Sequence, residues 1–247
     1  HDLRDEIGNG DVNRHYRQAH FLHRNAELYP THELGPIAQY LRLGRGNRML
    51  SLVAMASKAA GLHEWLQKNR PGTALADAQV NEGDVVTTLI SCAGGQTILL
   101  SHDCTLPRPY SRRNVVRGTK GCWYEDGHMM YIDGETPQPE HHWTHVGESD
   151  ARLLAEYRHP LWKAYDEFGA RGGHGGMDYL VLRAFIEAIQ NHTPVPIDVY
   201  DTASLMCITP LSEQSIAMGG MPVPVPDFTS GAWMYDHGDK GEGIYAL

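Results

Sequence analysis

Between Val85 and Ile132 the chain offers one strand-like segment after another, with no helical stretch standing between them. Val85 to Cys92 and Thr97 to Asp103 flank Gly94-Gly95, which reads as a β-hairpin. Val115-Val116, Cys122 to Glu125 and Met129 to Ile132 follow, separated by glycine turns. Strands in direct succession pair antiparallel, because a parallel partner needs a long crossover. Met49 to Ser57 alternates as one more strand. Helical patterns lie on both sides of this region. One starts near Asn13, capped by Asp11 or Asn13, and ends before Tyr29; the next runs from Glu33 to about Leu43, and a short one covers Gly61 to Asn69. Ser149 to Phe168 breaks at Pro160, Met177 to Asn191 has Leu180, Phe185 and Ile189 as a buried stripe, and Val199 to Met218 kinks at Pro210. The opening segment reads as a polar turn around Gly8-Asn9-Gly10, and the Pro- and Gly-rich tail as a surface wrap. With no repeat and no composition shift, residues 1–247 form a single α+β domain: an open, mostly antiparallel sheet with helices on one face.

At 41% hydrophobic the chain can bury a core, and its net charge of −9 argues against a nucleic-acid backbone as partner. No apolar run approaches the ~18 residues that span a membrane. No secretory signal pattern is present. The chain opens on His1 rather than methionine, so a mature or excised fragment is expected, with any targeting signal upstream. The four cysteines are widely spaced, and free buried thiols compete with disulfides as their state.

The densest collection of oriented polar groups is Arg17 to His32, which ends in Tyr29-Pro30-Thr31-His32. A residue before proline is pushed toward extended geometry, so the helix stops at Tyr29, and Thr31 is placed to cap the next. A phenol and an imidazole then sit on a short stiff link between helices, an arrangement suited to proton transfer from a hydroxyl. The alternative is a pair of ordinary junction residues. Arg17 precedes them and can donate with a fixed fork, or simply lie in solvent. Tyr110 is stiffened by Pro107 and Pro109 and either faces a ligand or packs on a sheet edge. His174, among Gly172, Gly173, Gly175 and Gly176, either reaches a ligand from a loop that closes over it or belongs to a helix start beside Asp178. His141, His142 and His145 lie in a proline-flanked loop with no cysteine nearby, so no metal site is expected. There is no nucleophile elbow and no G-x-G-x-x-G fingerprint, while a scattered carboxylate pair stays open.

These residues fall into a recognisable order. Asn25 to Tyr40, reading N-A-E-L-Y-P-T-H-E-L-G-P-I-A-Q-Y, resembles a signature of the NAD-dependent α-N-acetylgalactosaminidases, glycoside hydrolases built on the Gfo/Idh/MocA oxidoreductase fold. The resemblance continues through Pro107 to Arg112, Gly118 to Gly121, His159 to Lys163, Gly172 to Asp178, Asp198 to Asp201 and Pro226 to Thr229. It implies that this chain is the C-terminal, substrate-binding half of such an enzyme, a bacterial one by kinship, with a Rossmann domain upstream binding most of the NAD. The implied reaction oxidises the sugar's 3-hydroxyl, which acidifies the proton on carbon 2, eliminates the aglycone across carbons 1 and 2, adds water and reduces the ring again. Arg17, Tyr29, Pro30, Thr31, His32 and Tyr110 would hold the sugar, with His32 as base, and Tyr29 and Arg17 would border the nicotinamide. His174 would join Tyr29 and His32 as a catalytic residue from its glycine loop. The fragment alone would not turn over, because hydride transfer needs a positioned nicotinamide. A sugar dehydrogenase of the same fold, and a non-catalytic sugar-binding or oligomerisation domain, are the competing readings. An uncovered sheet face would also make a homo-oligomer.

Overall fold

The computed structural model describes residues 1–10, 15–136, 144–145, 151–168, 173–235 and 243–246. The helices are α1 (Arg4–Asn9), α2 (His15–His23), α3 (Pro30–Tyr40), α4 (Gly61–Asn69), α5 (Ala151–Tyr157), α6 (Pro160–Phe168), α7 (Met177–Asn191), α8 (Val199–Met206) and α9 (Ile208–Ala217). The strands are β1 (Met49–Ala56), β2 (Val86–Cys92), β3 (Thr97–His102), β4 (Val115–Gly118), β5 (Gly121–Tyr124), β6 (Met129–Ile132), β7 (Thr144–His145) and β8 (Val223–Pro224). Where the sequence showed one domain, contacts gather into two compact units. The first is His1–Tyr110 with Asp198–Gly238, and the second is Ser111–Ile197 with Asp239–Leu247. The tail returns to the first unit because β8 pairs with β1, a role that its proline-rich composition concealed.

The first unit is built on a four-stranded antiparallel sheet in the order β3-β2-β1-β8. β2 and β3 alternate buried and exposed residues, so one face packs and the other is open. Leu34 of α3, Leu52 of β1, Ile90 of β2 and Ile208 of α9 lie completely buried in a single cluster on the packed face. Each such side chain contributes roughly 1.5–3 kcal/mol relative to exposure. Ser215 on α9 ties helix to sheet: its hydroxyl accepts the Ala54 N–H of β1 (2.9 Å) and donates to the Met221 carbonyl (2.7 Å). On the open face Val53, Leu89 and Leu99 stand side by side in register as an apolar row, with Leu99 67% exposed. A second, smaller cluster of Ile7, Phe21, Leu62, Leu66 and Val80 joins α1, α2 and α4. α4 begins where Asp84 accepts the N–H groups of Ala60 (2.8 Å) and Gly61 (2.9 Å). A Cβ on Gly61 would stand 2.0 Å from the Thr105 carbonyl, so this close approach requires glycine.

The second unit carries the sheet β4-β5-β6-β7, again antiparallel throughout, with α5, α6 and α7. The fold is therefore α+β with antiparallel pairing, its strands divided between two sheets.

Several local expectations change. α1 forms where a polar turn was read, because burial of Ile7 against Phe21 and Leu62 outweighs its polar composition. α3 starts at Pro30 rather than Glu33, since a proline's fixed φ suits the first helical position. Thr31 is thus inside the helix and not its cap. The long helix from Val199 ends at Met206, because Pro210 has no N–H to bond that carbonyl. On α7 the expected buried stripe fails: Phe185 and Ile189 are more than half exposed and Ala188 alone is buried among the described residues. Apolar residues surround most of this helix, and one packing contact cannot cover them all. All four cysteines are free, and burial pushes the Cys92 thiol up to about 11. Asp11, Asn13, His141 and His142 lie outside the described residues, whereas β7 runs through the stretch read as a loop. Among the described residues no helix is long and apolar enough to cross a membrane.

Candidate active site

The link between α2 and α3, residues 24–29, is tied down by α9 and by Glu82. Arg24 forms a bidentate pair with Glu213 of α9 (2.6 Å at the closest), which holds that carboxyl below its ordinary value. Ala26 donates its N–H to the Glu82 carboxylate (2.9 Å). Glu27 donates its N–H to the Ser212 hydroxyl (2.9 Å), and its carbonyl accepts from the Thr209 hydroxyl (2.7 Å). Tyr29 then turns the chain at φ −132°, ψ 46°, and Pro30 begins α3. The proline holds the residue before it away from helical geometry, as the sequence implied.

Around the Tyr29 ring three side chains converge. The Arg17 guanidinium carbon lies 5.2 Å from the ring centre, within the range of a cation–π contact. The His32 ring meets it edge-on at 5.8 Å, and the His102 ring stacks on it at 5.9 Å with 23° between the planes. The Tyr29 hydroxyl is buried without a well-aligned hydrogen bond beside Tyr16 and Arg17, and burial pushes it up to about 12. Arg17 itself is paired with Glu6. His32 is exposed, with its ring edge against Tyr29.

The sequence reading missed what lies beneath. Glu27, Glu82 and His102 are respectively 2%, 1% and 5% exposed. The other Glu82 oxygen meets His102 Nδ1 at 3.1 Å, and a Glu27 oxygen accepts the Tyr29 N–H at 3.3 Å. Burial lifts the Glu27 carboxyl to about 7, despite the nearby His102. Burial also raises Glu82, opposed by its bond to His102. For His102 burial works toward the neutral ring, but contacts with Cys104 and Glu82, together with the field of Glu27, prevail and hold it well above the ordinary histidine value. One signal was available: Ile98, Leu100 and His102 share the inward face of β3 by simple alternation. Glu27 and Glu82 carry no comparable mark.

The other sequence candidates have surroundings of their own. Tyr110 is exposed, its ring 5.3 Å from that of His1. His174 belongs to the second unit, in the short 3-10 turn His174–Gly176 that precedes α7. Its Nδ1 lies 3.0 Å from Asp178, and its side chain is 73% exposed. Among the described residues no group of three metal-ligating side chains gathers.

A family model described as "Glycosyl hydrolase 109, C-terminal domain" matches residues 5–235. A glycosyl hydrolase family 109 protein of Stenotrophomonas maltophilia is 44% identical over 252 residues, covering 94% of this chain and 54% of that protein. An alpha-N-acetylgalactosaminidase of Tannerella forsythia is 42% identical over 221 residues, covering 89% of this chain and 46% of that one. The chain thus spans about half the length of the curated relatives it matches. Among solved structures, an oxidoreductase from Pseudomonas syringae aligns with 91% of this chain and 61% of its own at 12% identity and a TM-score of 0.45.

Proposed function

The chain belongs to glycosyl hydrolase family 109, and we propose that it is the substrate-binding half of an NAD-dependent glycosidase acting on α-N-acetylgalactosaminides. The observation that carries this reading is the corner itself: a phenol clamped by Arg17 and His102 with an exposed imidazole at its edge. Such a pair suits a sugar alcohol, because an imidazole titrates near neutrality and a fixed aromatic ring sets the approach.

His32 takes the proton of the sugar's 3-hydroxyl, and Tyr29 orients the ring beside it. Arg17, committed to Glu6, steadies Tyr29 by its charge, while Pro30 and Thr31 complete the wall. When bound, NAD supplies a reversible hydride acceptor for carbon 3, which acidifies the proton on carbon 2 and permits loss of the aglycone. The residues present fit only the nicotinamide end of that cofactor, at Tyr29 and Arg17, because no phosphate-cradling glycine fingerprint occurs in this sequence.

The test is release of the sugar from a p-nitrophenyl α-N-acetylgalactosaminide by full-length protein with NAD⁺. His32→Ala should lower turnover by about 10²–10⁴-fold, the usual contribution of a positioned base. The isolated 247-residue chain should show no turnover. Undiminished turnover in His32→Ala removes the assignment, and free NADH accumulating with substrate would make the enzyme a sugar dehydrogenase instead.

The proposal extends to a homo-oligomer formed through the open sheet face, where Val53, Leu89 and Leu99 align. Sedimentation of Leu99→Lys should give a lower mass than the unaltered protein; an equal mass would remove that surface from consideration.

A further inference from the structure

Three ionisable side chains with almost no exposure are an expensive way to fill space. Replacing a buried ion pair by apolar residues is often neutral or stabilising, so stability alone does not account for Glu27, Glu82 and His102. Their contacts share one destination. Glu82 holds His102 through Nδ1 with one oxygen and the Ala26 N–H with the other. Glu27 holds the N–H of Tyr29 itself. His102 lies against the Tyr29 ring on one side and Phe21 on another, at 5.8 Å, which fixes its plane. The backbone of Tyr29 and one face of its ring are therefore both set by this buried group.

We infer that His102, held by Glu82, is a positioning residue for Tyr29, and that Glu27, Glu82 and His102 together align the phenol against the His32 imidazole that meets the sugar. The inference rests on the glycosidase reading above for its chemistry, though not for its geometry. None of the three needs to touch substrate. The Glu82 carboxylate fixes which nitrogen of His102 faces it, and the ring so oriented supports the phenol from beneath. A small displacement of a positioned group can cost on the order of 10²-fold in rate, so a seat of this kind is worth its burial.

Two variants of the full-length protein separate this from a merely structural role. Glu82→Gln keeps the shape and weakens the grip on His102, while His102→Phe keeps a ring under Tyr29 and deletes the bond to Glu82. Each should lower kcat on the nitrophenyl glycoside by roughly 10–10²-fold with KM within about twofold, measured well below the melting temperature of each variant. Because the two residues act as a unit, the double variant should be no slower than the worse single one. A rise in KM at constant kcat, or multiplying losses in the double variant, overturns the inference. A measurement free of turnover guards against failure of the glycosidase reading. In ¹⁵N-histidine spectra one imidazole should stay protonated well above the ordinary histidine value, and Glu82→Gln should bring it down. If the protein releases no sugar but this signature is present, the function is misassigned and the seat stands. If that imidazole titrates at the ordinary value, the seat is wrong whatever the activity.

Discussion

Tyr29 and His174 both stand where the backbone is unusual, yet their surroundings have little in common. Tyr29 precedes a helix-opening proline, and its ring meets Arg17, His32 and His102 while its N–H is taken by a buried carboxylate. His174 adopts a left-handed φ of 49° between glycines, stands largely in solvent and has Asp178 beside it one turn along. Glycines shape the path of a backbone and say little about where a side chain is held. Contacts from residues distant in sequence do the holding at Tyr29.

That contrast can be broken by experiment. Of changes at these two regions, Tyr29→Leu should have the larger effect, a loss on the order of 10²-fold in kcat/KM, because both the ring and its contacts to His32 disappear. A loss under fivefold would mean that the corner is packing and not machinery.

The next effect is a pH dependence of stability. Glu27 reaches about 7 in the folded chain against an ordinary 4.5, so the folded state binds its proton more tightly. Its stabilising contribution is complete below about pH 4 and is lost as pH rises through 7, a change of about 3 kcal/mol. His102, also raised, adds to the fall above its unfolded value, whereas Asp2, Glu213 and Asp227 are lowered and weaken the fold only in acid. Urea unfolding of Glu27→Gln at pH 5 and pH 8 should therefore show a flatter profile than the unaltered chain. An equally steep profile would locate the titration elsewhere.

The smallest effect belongs to His174. An exposed ion pair one turn apart contributes at most about 0.5 kcal/mol, so His174→Ala should unfold within that margin of the original. A turnover loss matching that of His32→Ala would bring the glycine turn into the site and put His174 beside Tyr29 in function.

Much of the fold was legible because its cues are local. The Gly94-Gly95 hairpin, the helix bounded by Met177 and Asn191 and the break at Pro160 all follow from turn residues and periodicity. What escaped depends on partners distant in sequence. Arg4 to Asn9 becomes a helix only because Ile7 finds Phe21 and Leu62, and Val223 becomes a strand only because Leu52 lies opposite. The same holds at the site. Tyr29, His32 and Arg17 could be chosen from one stretch, whereas Glu82 and His102 reach it from separate turns and strands; alternation along β3 turns His102 inward, but nothing beside Glu82 marks its role.

The hydroxyl of Ser215 has a consequence for how the chain behaves in solution. β8 covers β1 at Ser51 and Leu52, and Val225 adds its N–H to the Leu50 carbonyl (2.8 Å), so the pairing stops short of Ala54. By taking the Ala54 amide, α9 occupies a place that a stranger's strand could otherwise claim. Removing one oxygen in Ser215→Ala should convert a guarded rim into a template, and the first sign would be turbidity on concentration rather than a lost catalytic step.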